Sequence, residues 1–124
     1  VATAVGGLKE IVVDVNQNLA DGTGILAEKN NHRKLAEALV SLLAIELISE
    51  IPQEKVGTES VQIEEIAKLI PGNSLRAAVI KQPSYGLKLR NNAIGRVEST
   101  FRWSKVIDMT IGGYMKAVNL ANTL

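Results

Sequence analysis

Residues 1–14 read VATAVGGLKEIVVD, and this stretch sets the fold expected of the chain. Val1–Val5 is uncharged and contains β-branched Val and Thr, which suits a short buried strand. Gly6-Gly7 ends it. Leu8–Val13 then has Leu8, Ile11 and Val12 at i, i+3 and i+4, the spacing of one helical face. Strand, glycine turn and helix in that order often mark a ligand site in α/β proteins.

Next in the chain, Asp14–Gly24 holds three Asn or Gln, two Asp and two Gly, the composition of a polar loop. Gly24-Ile25-Leu26-Ala27 reads as a second short buried strand. Asn30 or Asn31 can cap the next helix, with Leu35, Leu39, Leu42 and Leu43 as its apolar face and Pro52 as its stop. Ser60 signals another helix, with Ile63, Ile66, Ala67 and Ile70 at helical spacing before Pro71-Gly72. Leu75–Lys81 fits helix or strand equally. Leu87–Ser99 reads as a helix, and a last one follows from a Ser104 cap with Val106, Ile107, Ile111, Tyr114, Val118 and Leu120. Gly112-Gly113 inside it costs about 2 kcal/mol against alanines, so a kink or close packing is expected there.

The 124 residues are enough for one domain, and 46% apolar residues supply a core built from Leu, Ile, Val and Ala, since aromatics make up only 3%. Fourteen basic and 13 acidic residues give a net charge of +1. With no Lys/Arg run longer than two, that balance argues against a nucleic-acid partner, and a membrane is not indicated. Without cysteine there is no disulfide framework, thiolate metal site or thiol nucleophile. No leader peptide is recognisable, so a cytoplasmic location is expected.

The segment VATAVGGLKEIV, followed by GTGILAEKNNHRKLAEALVSLL, resembles the C-terminal Rossmann-like domain of GT-B retaining glycosyltransferases, of the family-4 and glycogen/starch-synthase type. Ala4–Glu10 matches that family's strand, Gly-Gly pair and short helix carrying a Glu. Asp21-Gly22-Thr23-Gly24-Ile25-Leu26 matches its D-G-x-x-G-x-L loop, and Lys34–Leu43 its Leu- and Ala-rich helix. Arg96-Val97, Phe101-Arg102-Trp103-Ser104-Lys105-Val106 and Tyr114 are similar to its closing F-S-W-x-K-V…Y pattern. Residues 44–90 are longer and more divergent than the family's usual connection, and Thr110 stands where an aromatic is common.

The resemblance implies an α/β fold: a partial Rossmann-like half-domain with two or three parallel strands and five or so helices. Within this single partial domain, residues 1–43 would form a βαβα segment on the nucleotide-sugar side, 44–90 a divergent helical insertion, and 91–124 the C-terminal helices. It implies a parent enzyme that transfers a sugar, with retention, from a UDP- or ADP-glucose type donor to a glycan or other hydroxyl acceptor, without a cofactor or bound metal. The family's Glu-x7-Glu motif and its diphosphate-binding Arg and Lys lie upstream of the matched strand. No catalytic residue can therefore be assigned in this chain, which is expected to be inactive alone. The alternative is a non-catalytic α/β interaction module that assembles through an exposed sheet edge, with self-association as the risk.

The candidate donor-cleft residues are Val5, Gly6, Gly7, Leu8 and Glu10. Glycines at a strand's carboxyl end admit a ligand closely, but they also serve a tight turn that needs positive φ or packing room. Glu10 can accept hydrogen bonds from a sugar, or simply favour the first turn of a helix. His32, the only histidine, sits in NNHRK without a second ligand at metal spacing, which fits a solvated or capping residue. Glu64-Glu65 fit a solvated helix face. Trp103 and Phe101 can stack on a sugar, but their place at a helix entry is better suited to anchoring that helix.

Overall fold

The computed structural model describes residues 1–123; Leu124, the last residue of the segment expected to form C-terminal helices, lies outside the described residues. Contacts divide the chain into two compact units, Val1–Ala93 and Ile94–Leu124.

In the first unit, β1 (Ala2–Thr3) and β2 (Leu26–Ala27) form a parallel pair, with Ala2 opposite Leu26 and Thr3 opposite Ala27. The Ala2 and Ala4 N–H groups donate to the Ile25 and Ala27 carbonyls at 3.0 and 2.8 Å. Between the strands lie α1 (Leu8–Ile11) and the polar loop. After β2 come α2 (His32–Ser49), a 3-10 turn at Gln53–Lys55, α3 (Ser60–Ala67), α4 (Asn73–Lys81) and the start of α5 (Tyr85–Arg96).

This architecture overturns the expected Rossmann-like half-domain. The described chain is 65% helix and 5% strand, the latter being one sheet of two two-residue strands and an isolated parallel bridge between Asp14 and Gly24. Leu75–Lys81, which could have supplied a third strand, lies within α4. Its Leu75 and Val79, one helical turn apart, are the residues it buries. Strands this short cannot form a layer for helices to cover, so the core is built mainly between helices.

That core gathers Val15, Ile25, Ala27, Ala38, Ala44, Ile45, Ile48, Ile63, Ala67, Ile70, Leu75, Val79 and Tyr85. α2 turns Ala38, Ser41, Ala44, Ile45 and Ile48 inward, whereas Leu39 and Leu43 of its expected apolar face are 48% and 65% exposed. Small residues at 38, 41 and 44 let neighbouring elements approach α2 closely, and a Leu stripe would hold them off. Ser41 is buried at no polar cost, because its hydroxyl donates to the Glu37 carbonyl at 2.7 Å. Asn31 caps α2 as expected, its Oδ1 accepting from the Lys34 N–H at 3.1 Å. Ser60, by contrast, is the first helical residue of α3, and the Glu59 side chain makes no capping bond.

The polar loop is the best-tied irregular segment. Thr23 Oγ1 accepts from the Val13 N–H at 3.0 Å, and Asp14 Oδ1 accepts from the Asn16 N–H at 3.2 Å. From the far end of the unit, the Tyr85 hydroxyl donates to the Leu19 carbonyl at 2.8 Å. Asn92 Nδ2 donates to the Ala20 and Gly22 carbonyls at 3.0 and 3.2 Å. A Cβ at Gly22 would collide with Val15 and the Asn18 carbonyl, so only glycine lets the loop close there.

The second unit contains the end of α5, a π-helical turn at Val97–Phe101, and α6 (Trp103–Thr123). Arg96 places its guanidinium 5.4 Å from the centre of the Phe101 ring, a cation–π distance. α6 begins at Trp103 rather than after a Ser104 cap, and its helix runs unbroken through Gly112-Gly113. It has no buried residue, and Trp103 is 75% exposed. No helix among the described residues is long and apolar enough to cross a membrane.

Candidate functional site

The five candidate residues fall on one turn at the carboxyl end of β1. The Val5 N–H donates to the Thr3 carbonyl at 2.8 Å, and its carbonyl accepts from the Leu8 N–H at 3.1 Å. This closes a tight reversal whose first glycine, Gly6, has φ +48°. That left-handed conformation strains any residue with a Cβ and accounts for Gly6 by backbone geometry alone.

Gly7 is different. Its φ of −67° and ψ of −14° are helical and open to every L-residue. A Cβ placed there would have nothing within 4 Å. Neither positive φ nor packing room within this chain calls for a glycine at position 7. The Gly7 carbonyl starts α1, accepting from the Glu10 and Ile11 N–H groups at 3.0 and 3.2 Å.

Val5, Gly6, Gly7, Leu8 and Glu10 are all exposed, as is Ile11 beyond them. α1 buries no residue. The turn is thus an open, largely apolar surface with one ammonium group, Lys9, and one carboxylate, Glu10, on its short helix. It can be approached closely, but it has no nucleophile, no acid–base pair and no group held in a low-dielectric pocket. Among the described residues no three His, Cys, Asp or Glu side chains gather as metal ligands.

The remaining sequence candidates belong to other elements. His32 is exposed at the start of α2. Glu64 and Glu65 are exposed on α3, where Glu65 pairs with Lys68 at 2.8 Å. The hydrogen bond and charge of Glu65 push the Lys68 ammonium pKa above its ordinary value. Phe101 and Trp103 lie in the second unit.

A separate cleft of about 270 Å3 opens beside β2, between α2 and the start of α4. Lys34 and Glu37 on its wall pair with each other at 3.2 Å, and Glu28 beside them leaves the lining net negative. None of the five turn residues lines it.

Sequence reading did not anticipate the residues that fix the polar loop from α5, Tyr85 and Asn92. Their partners are 66 to 72 positions away, and no local pattern reports such a bond. Burial also pushes the Tyr85 hydroxyl pKa above its ordinary value of 10.0. Comparison with protein-family models, characterised proteins and solved structures found no match to this chain.

Proposed function

We propose that this chain forms one wall of the donor cleft in a cytoplasmic sugar-transferring enzyme. That enzyme takes a UDP- or ADP-glucose type donor to a glycan or other hydroxyl acceptor with retention, and this chain supplies cleft surface rather than the reacting groups. The observation that carries the reading is Gly7. It is a glycine that the chain's own backbone and packing do not require, on an exposed turn at the end of a parallel strand. A ligand approaching the main chain at that point gives it a reason. The sugar-nucleotide class rests on the family resemblance of residues 1–43 and 96–114.

Calorimetry with UDP-glucose and ADP-glucose tests this, on the chain alone and on a longer polypeptide that includes upstream donor-binding residues. The chain alone should bind neither tightly. In the longer polypeptide, Gly7→Val should weaken donor binding by about tenfold or more, the scale of one lost close contact. Tight donor binding by the 124-residue chain, or a Gly7→Val variant with unchanged affinity, would overturn the reading.

One observation favours a second reading, a non-catalytic interaction module. α6 leaves Trp103, Met109, Ile111, Tyr114 and Leu120 each more than half exposed. The sheet edge is a poor alternative surface for assembly, because strands of two residues offer almost no ladder to extend. Sedimentation equilibrium separates the readings: a chain that stays monomeric at high micromolar concentration counts against self-assembly.

A further inference from the structure

Within the first unit, a cleft of about 380 Å3 lies between the Leu19–Ala20 loop and the corner joining α4 to α5. Leu19, Ala20, Ala78 and the buried Tyr85 give it an apolar lining, and Lys81, Gln82 and Lys88 supply polar groups. Residues 71–93 contain four basic side chains, Arg76, Lys81, Lys88 and Arg90, and no acidic one. Two of the four are engaged: Arg76 donates to the Ile70 carbonyl, and Arg90 pairs with Glu46. The other two are the lysines of the cleft, and among the described residues neither meets a carboxylate. Lys88 is only half-exposed, so part of its hydration is lost without an opposite charge in return. Of the cleft's carbonyls, Leu19 O already accepts from Tyr85 and Ala20 O from Asn92.

We infer that this cleft binds a small organic anion, an acidic group carried on an apolar body. The two ammonium groups and the Gln82 amide are donors left over on the rim, and the acid would lie against them. The apolar body would occupy the space over Ala78 and the Tyr85 ring. The volume falls at the small end of ligand sites and suits a single ring or a short chain. None of the residues of the Val5–Glu10 turn lines it, so the inference is independent of the proposed donor cleft.

The test is amide-resolved NMR on the full chain, with phenyl phosphate as the probe and inorganic phosphate and phenol as its separated halves. Phenyl phosphate should shift the Leu19, Ala20, Gln82, Tyr85 and Lys88 amides saturably, and each half should bind at least about tenfold more weakly. Lys81→Gln and Lys88→Gln should each weaken phenyl phosphate by about tenfold, the value of one charge-assisted contact. The rest of the spectrum reports whether these variants keep the fold. In the unmodified chain, added salt should weaken binding, since the contact is ionic. Absence of saturable shifts at these amides, affinity indifferent to salt, or inorganic phosphate binding as well as phenyl phosphate would each overturn the inference.

Discussion

Val1–Ala93 and Ile94–Leu124 are both rich in apolar side chains, yet among the described residues only the first contains buried ones. In the first unit Ile45, Ile48, Ile70, Val15 and Val79 are almost wholly withdrawn from water. In the second, Val106, Ile107 and Val118 remain 36–39% exposed, and Met109 and Tyr114 nearly 70%. The contrast shows that helical amphipathicity alone buries nothing. α2 becomes a core helix because α3 and β2 pack on it, whereas α6 has the pattern but no buried residue among those described.

Substitutions in the core should cost the most stability. Ile48→Ala should destabilise the chain by about 2–5 kcal/mol, since it opens a cavity at a fully buried site. Ile107→Ala should cost under about 0.5 kcal/mol, the range of exposed substitutions. Urea unfolding measures both, and equal losses would mean that α6 is covered in solution.

The glycines sharpen the same contrast. Gly22→Ala should cost about 1–3 kcal/mol, because its Cβ would press on Val15 and the loop backbone. Gly113→Ala meets open space within a regular helix and should stabilise α6 by up to about 1 kcal/mol. Circular dichroism during thermal melting reads both signs. A Gly113→Ala variant that lost helix would show that the glycine has a packing partner.

Tyr85 gives a smaller effect tied to pH. Tyr85→Phe should cost about 1 kcal/mol at neutral pH through the lost bond to the Leu19 carbonyl. Burial raises the Tyr85 pKa in the folded chain, so above the unfolded value near 10 the unfolded state releases its proton first. Its contribution is therefore complete below about pH 10 and is lost as pH rises through the folded value. Unfolding curves between neutral and strongly alkaline pH should show that decline in the unmodified chain and a shallower one in Tyr85→Phe.

Much of the local structure was legible. The strand positions near Ala2–Thr3 and Leu26–Ala27, the turn at Gly6-Gly7 and the Asn31 cap all follow from short-range rules, because each depends on residues within about one turn of the chain. The candidate turn was legible for the same reason. The inward face of α2 was not: its apolar residues surround the helix, and the choice among them fell to its neighbours. The α4 segment was equally open until Leu75 and Val79 found the core.

From short-range rules alone came the Asn31 cap of α2, the reversal at Gly6-Gly7 and the five residues that share the turn after β1. Those features are set by backbone conformation and hydrogen bonds between near neighbours. Only the tertiary structure decided that two short parallel strands would support a helical core rather than a Rossmann-like sheet. It alone decided that Ala38, Ser41 and Ala44 would face inward, and that Tyr85 and Asn92 would hold a loop some seventy residues away. Such choices depend on which surfaces exclude water from one another, a property of the assembled layers that no short window of sequence contains.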